Sequence, residues 1–426
     1  QNAGVRGTQM GRGSTNPRGT LWLSTNLNER DVITGGEAKL EQAIREADVR
    51  YRPSAIIVIS SCVPGIIGDD IDGVAQRVQP EVSAKICPIH CEGFRTKIMA
   101  TAYDAIYHSV ARNLLQQDEE RQPVVIDEVE DIRERLRRSR LVNLMNVSSI
   151  GTVDENEMKR LLQGLGLEVQ IFPCAAHPDD FRKVTEAALS ISTCPTHDDY
   201  FVKHLQQEFG VPYVQRFMPI GIENTNNWLR AVAQNFNQEA VAEEIIARET
   251  RELEEALAPF RKDLAGKKAM ISAGEVRALS LGNLLQELGM EIVAVRPYHY
   301  DEFGETALDQ LLAGQESEPV INVATVQPYE SVNLIGKTKP DIYFGHPSDS
   351  VWAAKTGIPT IPVYHGGYTY VGYAGVFEIA RRAWRVLANP AFNRRLKQHV
   401  RQPYQAQWLQ ENAFSYIKEG VFDGDE

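Results

Sequence analysis

Three residues that can bind metals lie where predicted strands end. Cys62 and Cys194 each close an apolar run of β-strand type, and His365 follows another in a loop rich in glycine and tyrosine. The carboxyl ends of parallel strands line the crevice where α/β sheets bind ligands. Thiolates bind soft iron–sulfur centres, and imidazole also suits iron. Taken singly, each residue also fits an ordinary core or loop position, so none identifies a metal site alone.

Three other kinds of chemistry compete with an iron–sulfur site. His197, Asp198 and Asp199 follow Cys194 closely, so ordinary acid–base catalysis stays open. Cys87 and Cys91 flank His90, but the further ligands of a closed zinc site are missing at regular spacing nearby. A serine hydrolase is disfavoured because no G-x-S-x-G elbow occurs.

Composition narrows the partners. The 426 residues include 45 basic and 57 acidic side chains, for a net charge of −12. This balance argues against nucleic acid and anionic membranes as main partners. No apolar stretch approaches the roughly 20 residues of a membrane span, and no signal peptide opens the chain. The five cysteines then suggest thiols or metal ligands, and we expect a cytoplasmic protein.

The first residues suggest a longer gene product. Gln1 is not an initiator, and the segment from Gln1 to Arg18 is rich in Gly, Asn and Arg. Little in this segment can pack into a core. We therefore expect that the sequence begins inside a longer protein.

Strand-then-helix units recur along the chain. Buried strand-like runs such as "SAIIVISSC" and "RLVNLMNV" are followed by helical patterns, which predicts an α/β fold of three doubly wound domains with parallel sheets. The charged stretch from Asp118 to Arg140 is a plausible boundary. The predicted domains are 1–135, 136–262 and 263–390, followed by a helical tail at 391–426.

The usual nucleotide-binding fingerprints are missing. The sequence contains no G-x-x-x-x-G-K-[ST], and no predicted strand is followed by G-x-G-x-x-G. The predicted sheets therefore call for a cofactor other than a dinucleotide, and ATP would have to be used by another protein.

Six ordered motifs produce a family resemblance that covers about Ser24 to Pro390. They are "STNLNERDVITGGEAKLEQAI", "SSCVPGIIGDDIDGVAQ", "CEGFRTKIMATAYDAI", "STCPTHDDYFVKHLQQEFGVPY", "GYAGVFEIARR" and "LANPAF". Together they resemble the catalytic (D, or alpha) subunit of nitrogenase and its relatives, the nitrogenase component 1 superfamily. The resemblance implies three Rossmann-like domains around a buried metallocluster.

The resemblance also implies a set of metal ligands. At the positions of Cys194 and His365, the family holds the two ends of a large iron–sulfur cofactor, and His346 is the alternative to His365. The cysteine matching Cys62 holds a second cluster shared with a homologous subunit. The family's two companion cysteines lie upstream of where this sequence starts, so the sequence does not establish whether that cluster is present. Arg277 matches an arginine beside the cofactor.

Departures from molybdenum nitrogenase predict a different substrate. Met99 and Tyr103 stand where that enzyme has a Gln and a His close to the cofactor. Thr196 and His197 replace an Arg and a Ser after the ligand cysteine. Met99 would favour an apolar or sulfur-containing substrate, while His197 or Tyr103 would deliver protons. Dinitrogen is therefore not the expected substrate.

The pattern is most similar to methylthio-alkane reductase, which cleaves a carbon–sulfur bond. This implies a homologous beta-type (K) subunit in an α2β2 assembly, a small-molecule substrate, and electrons from an ATP-dependent iron–sulfur reductase. The heterometal of the cofactor is not fixed by the sequence. A cofactor-assembly scaffold and a true nitrogenase alpha subunit are the alternatives.

Overall fold

A computed structural model describes residues 21–95, 100–115, 128–146, 150–174, 176–215, 218–314, 317–324, 327–363 and 367–411. The chain divides into two compact units, Gln1–Ser149 with Gly166–Gln215 and Ile150–Leu165 with Arg216–Glu426. The domain boundaries expected at residues 135, 262 and 390 stay predictions. None of the described helices is long and apolar enough to cross a membrane.

The first unit contains two parallel sheets. Its elements are α1 (Glu29–Thr34), α2 (Glu37–Tyr51), β1 (Ala55–Ile59), α3 (Cys62–Ile67), α4 (Ile71–Val78), β2 (Lys85–Ile89), α5 (Ala100–Leu114), α6 (Glu128–Arg138), β3 (Leu141–Asn146), β4 (Glu168–Pro173), β5 (Leu189–Ser192), α8 (Pro195–Phe209) and β6 (Tyr213–Val214), while α7 (Thr152–Gly164) belongs to the second unit. β1 pairs with β2, and the other sheet has the order β4-β3-β5-β6. All these pairings are parallel.

The second unit contains one larger sheet. Its further elements are α9 (Ile222–Ala233), α10 (Glu239–Leu264), β7 (Lys268–Ala273), α11 (Glu275–Glu287), β8 (Glu291–Pro297), α12 (Glu305–Ala313), β9 (Val320–Ile321), α13 (Pro328–Thr338), β10 (Ile342–Gly345), α14 (Pro347–Lys355), β11 (Thr360–Pro362), α15 (Gly372–Ala388), α16 (Ala391–His399) and α17 (Ala406–Gln410). The sheet order is β11-β10-β7-β8-β9, again with parallel pairings among the described strands.

The apolar runs of the sequence become buried strands. β3 is buried along its whole length, as a strand covered on both faces should be. In the first unit, α5 and α8 pack against each other through stacked aromatic rings. The ring centroids of Tyr107 and Phe201 are 4.5 Å apart. Burying one such ring contributes roughly 1.5–3 kcal/mol, and this packing fixes the two helices that carry Tyr103 and His197.

The structure differs from the sequence prediction at the first cysteine. The apolar run to Cys62 was expected to be one strand, but β1 ends at Ile59 and Cys62 is the first residue of α3. Pro64 in the first turn is compatible with a helix start. Gly68, with φ 81°, ends this short helix in a left-handed conformation that glycine adopts without strain.

Candidate functional site

Cys194 forms the corner between a strand and a helix. It follows β5 by two residues and is the N-cap residue of α8, with extended backbone angles of φ −152° and ψ 107°. Pro195 occupies the first helical position, where its fixed φ is favourable. The backbone N–H groups of His197 and Asp198 donate to the carbonyl of Cys194 at 2.9 and 3.0 Å. The thiol is not in a disulfide, and the residue is only 6% exposed.

Asp198 holds this corner in place from inside the unit. Asp198 is fully buried. Its Oδ2 accepts hydrogen bonds from the Oγ of Ser192 and from the backbone N–H groups of Thr193 and Cys194, at 2.9, 3.0 and 3.2 Å. Tyr107 donates to Oδ1 at 3.1 Å. Burial raises the pKa of Asp198 to about 7, although these hydrogen bonds oppose the shift. One carboxyl group thus fixes the backbone at Cys194 and at the residue before it.

Tyr103 and His197 meet beside the same corner. Tyr103 lies on α5 and His197 in the first turn of α8, and their ring centroids are 4.0 Å apart with planes tilted by 34°. Both residues are half-buried. The phenol and the imidazole can each donate a proton. The structure therefore brings together three of the residues singled out in the sequence: Cys194, Tyr103 and His197.

Carboxylates and a further histidine surround this group on the two helices. Burial raises the pKa of Asp104, and the charge of Asp199 raises it further. Tyr200 and Nδ1 of His108 share a hydrogen bond of 2.7 Å. Asp104, His108 and Tyr200 line a separate cavity of the first unit, together with Asp72 and His90.

Cys62 lies at the other sheet of the first unit and is exposed. A Cβ atom built on Gly93 would lie 3.8 Å from its Sγ, so the segment after β2 runs close to the thiol. Large apolar side chains on and near these elements are also exposed. We call this set the Cys62 surface, and it comprises Ile57, Ile59, Val63, Ile66 and Phe94, between 45% and 72% exposed.

The alternative zinc site is not assembled. Cys87 is buried in β2, and this burial raises the pKa of its thiol to about 12. His90 instead pairs with Asp72, with Nε2 2.6 Å from Oδ2. Within the described ranges, the one set of three side chains whose ligand atoms converge is elsewhere. Cys87, His90 and Cys91 therefore carry no metal site here.

Arg277 and His346 belong to the second unit. Arg277 lies in the first turn of α11, and its guanidinium carbon is 5.8 Å from the centre of the Tyr370 ring. Its charge also favours ionisation of the buried Asp154, although burial raises the pKa of that carboxyl group. His346 follows β10 directly. Burial lowers the pKa of His346, and Arg277 adds to this while Asp349 opposes it, which favours the neutral imidazole that binds metals.

The remaining predicted residues cannot be placed. Met99 and His365 lie outside the residues that the structure describes. The roles given to them, and the choice between His365 and His346 as second ligand, stay predictions.

Sequence reasoning missed the buried acids of the second unit. Asp154 accepts hydrogen bonds from the backbone N–H groups of Tyr370 and Gly151 at 3.0 and 2.9 Å. Asp349 accepts from Ser272 and Tyr298 at 2.8 and 3.1 Å. In the sequence, both look like the acidic residues that commonly begin helices. Asp154 and Tyr370 are 216 positions apart in the sequence, and only folding brings them together. Their hydrogen bond shows that Asp154 holds a distant segment in addition to beginning a helix.

A family model decides the assignment. The model for nitrogenase component 1 type oxidoreductases matches residues 7–388. The chain belongs to this family. This match confirms, at the level of the family, the resemblance that the six motifs carry. Its members bind iron–sulfur clusters and cofactors, and normally pair with a beta subunit and an iron protein.

Two kinds of relative are similar to this family member at the same level. The nitrogenase molybdenum-iron protein alpha chain of Methanosarcina barkeri is 27% identical, over 90% of this chain and 78% of that protein. The nitrogenase iron-molybdenum cofactor biosynthesis protein NifE of Rippkaea orientalis is 29% identical, over 87% and 77%. Identity alone therefore does not separate a catalytic subunit from a biosynthesis protein.

Solved structures confirm the predicted fold class. Nitrogenase Cp1 at pH 5 matches with a TM-score of 0.71 and 21% identity, over 90% of this chain and 79% of that one. Nitrogenase Cp1 at pH 6.5 gives 0.68 and 20%, over 90% and 80%. The α/β architecture with parallel sheets is thus that of a nitrogenase component 1 protein.

Proposed function

We propose that this chain is the catalytic subunit of a nitrogenase-like reductase that cleaves the carbon–sulfur bond of methylthio-alkanes. The observation that carries the proposal is the contact between the Tyr103 and His197 rings beside Cys194. A reductive cleavage needs protons as well as electrons, and two proton donors stand at the ligand cysteine of the family.

The surroundings of Cys194 fit a thiolate ligand of an iron–sulfur cofactor. The thiol is buried and not in a disulfide, and soft thiolates suit such clusters. The Oγ1 of the neighbouring Thr193 is buried and has no hydrogen-bond partner among the described residues. An unpaired buried hydroxyl calls for an explanation, and a cluster sulfide would accept its hydrogen bond. When bound, the cofactor would supply electrons to the substrate.

The protein's own residues would handle the protons. His197 is placed for this role by its backbone hydrogen bond to the Cys194 carbonyl and by its ring contact with Tyr103. An imidazole exchanges protons near neutral pH, and a phenol can pass one on. General acid catalysis of this kind contributes typically 10²–10⁴-fold to a rate.

The substrate class follows from the exchanged residues of the sequence. Met99 and Tyr103 replace the amide and imidazole that accompany dinitrogen reduction in molybdenum nitrogenase. A thioether contact at Met99 suits a sulfur-containing substrate. For 2-methylthioethanol, two electrons and two protons yield methanethiol, ethylene and water. The electrons would come from a separate ATP-dependent iron–sulfur reductase.

The Cys62 surface supports a second cluster and a partner subunit. An exposed cysteine amid exposed apolar side chains is unusual on a monomer, since large apolar patches mark interaction sites. We assign this surface to the homologous beta-type subunit, with which Cys62 would share an iron–sulfur cluster in an α2β2 assembly.

A cofactor-assembly scaffold is the second candidate. The observation in its favour is the similarity to NifE, which equals that to the alpha chain. A scaffold would also need Cys194 and would need no proton delivery. The Tyr103–His197 pair therefore favours the catalytic assignment.

A turnover assay tests the proposal. The anaerobically purified complex, its reductase and ATP are offered 2-methylthioethanol and dinitrogen in parallel, with ethylene and ammonia as readouts. We expect ethylene without ammonia, and no ethylene from Cys194→Ala. His197→Asn should lower the ethylene rate by about 10²-fold. The control is His204→Asn on the same helix, whose ring stacks on Tyr200 and which should act like the wild type.

Each other result contradicts the proposal. Ammonia as the main product would make the chain a true nitrogenase subunit. Neither product, despite a full iron content, would favour the scaffold. Equal rates in the His197 and His204 variants would remove His197 from proton delivery and with it the observation on which the proposal rests.

A further inference from the structure

Three side chains with metal-binding atoms converge at the start of α11. Glu275 is the first residue of that helix, and His299 and Asp301 lie in the loop after β8. One ligand atom from each lies within 4.8 Å of the other two. All three belong to the second unit, and none is among the residues assigned above to the iron–sulfur centres.

The distances suit a single small ion. Nε2 of His299 is 3.7 Å from Oε2 of Glu275 and 3.4 Å from Oδ2 of Asp301. Two ligand atoms held about 2.1 Å from one metal ion at a tetrahedral angle lie about 3.4 Å apart. Neither separation is a hydrogen bond, because both exceed the usual donor–acceptor range.

Burial makes this arrangement costly without a cation. The side chains of Glu275, His299 and Asp301 are 0%, 15% and 22% exposed. Among the residues that the structure describes, the buried Nε2 atom of His299 has no hydrogen-bond partner. A buried nitrogen without a partner and two neighbouring carboxyl groups are groups that a metal ion would satisfy together.

The backbone already holds the loop in position for such an ion. Both carboxylate oxygens of Glu275 accept the backbone N–H of Asp301, at 3.0 and 2.9 Å. A Cβ atom at Gly304 would collide with Oε1 of Glu275, so the loop lies directly against this carboxylate. Each oxygen keeps a second lone pair for a ligand.

We propose that Glu275, His299 and Asp301 bind one divalent first-row transition-metal ion. Two carboxylates and one imidazole form a donor set suited to Mn²⁺, Fe²⁺ or Zn²⁺. The ion fastens the loop after β8 to the first turn of α11, the helix that also carries Arg277. This site does not depend on Cys194 or on the proposed reduction.

Mn²⁺ is the probe, because this hard ion avoids the chain's five cysteines, which would capture Zn²⁺. The full chain is titrated with MnCl₂, and the electron paramagnetic resonance signal of the free aquo ion is followed. We expect one tight site per chain, with affinity reduced at least about tenfold in His299→Ala and Glu275→Gln. Mn²⁺ should also raise the melting temperature of the wild type but not of His299→Ala.

The control and the contrary results are defined by the same titration. His177, which forms an exposed pair with Asp179 at 3.2 Å, is the matched control, and His177→Ala should bind like the wild type. His299→Ala keeps the hydrogen bonds from Asp301 to Glu275, so it carries the test even where Glu275→Gln fails to fold. Wild-type protein that retains no Mn²⁺, or a His299→Ala variant that binds it equally well, overturns the proposal.

Discussion

The two strand-end cysteines of the first unit look alike in the sequence and differ in the fold. Cys62 and Cys194 each follow an apolar strand, a Ser and one further hydroxyl residue, and each stands at a helix start. At Cys194, one buried carboxyl group accepts the backbone N–H groups of Thr193 and of Cys194 itself. At Cys62, the N-cap residue Ser61 makes no side-chain hydrogen bond to the helix, and the thiol is exposed.

The difference teaches where each corner obtains its rigidity. The Cys194 corner is held directly at the cysteine by the buried carboxyl group of Asp198. The Cys62 corner is tied to its own unit two residues earlier, where the Oγ of Ser60 donates to the buried Glu92 at 2.6 Å, and the thiol itself is left with exposed apolar neighbours. A thiol at the end of a strand is thus informative only together with the groups that hold its backbone.

The largest expected effect is on the stability of the Cys194 corner. Asp198→Ala leaves the hydroxyl of Tyr107 and two backbone N–H groups without their buried acceptor. At about 1–3 kcal/mol for each unsatisfied group, partly relieved by water, we expect a loss of about 3 kcal/mol in the free energy of unfolding. Urea denaturation of the full chain measures it. Ser61→Ala is the matched control and should change little, and equal losses would refute the contrast between the corners.

A smaller effect is expected from pH near the Cys62 corner. Asp72 first, then Glu92, raises the pKa of His90 above its usual value, against the opposing effect of desolvation. Because the folded-state pKa is the higher one, the stabilisation is complete below the unfolded pKa and is lost as pH rises through the folded value. His90 is 40% exposed, so solvent screening limits the contribution to less than about 1 kcal/mol.

Urea midpoints measured from pH 5 to pH 9 check this expectation. The difference in stability between the wild type and Asp72→Asn should be largest at pH 5 and shrink at higher pH. His90→Gln should show the same change, since either substitution removes the pair. A difference that grows with pH would contradict the assigned direction of the shift.

The sequence predicted what depends on local pattern. The strand before Cys194 follows from an apolar run. The family resemblance pointed to Tyr103 and His197 as residues of the site, because ordered motifs imply a shared fold. The predicted end of the strand before Cys62 was wrong by three residues. A short helix begins at Cys62 instead, with Pro64 in its first turn and Gly68 at its end.

The buried acids could not be predicted in this way. Asp198 is held by Tyr107, which is 91 positions away in the sequence. Glu275 and Asp301 meet only because β8 returns the chain beside α11. An acidic residue near a helix start is common on the surface, and its burial depends on tertiary packing that a single sequence does not display.

The smallest expected effect on stability falls on the Cys62 surface. Ile66 is 72% exposed, so Ile66→Ser should change the free energy of unfolding of the isolated chain by less than about 0.5 kcal/mol. The same substitution should weaken association with the beta-type subunit, because it removes apolar area that the assembly would bury. Analytical ultracentrifugation of the co-expressed subunits measures this, with Phe392→Ser in the second unit as the control for a 71% exposed apolar side chain outside the surface. If both variants assemble like the wild type, the exposed apolar residues around Cys62 do not mark the subunit interface.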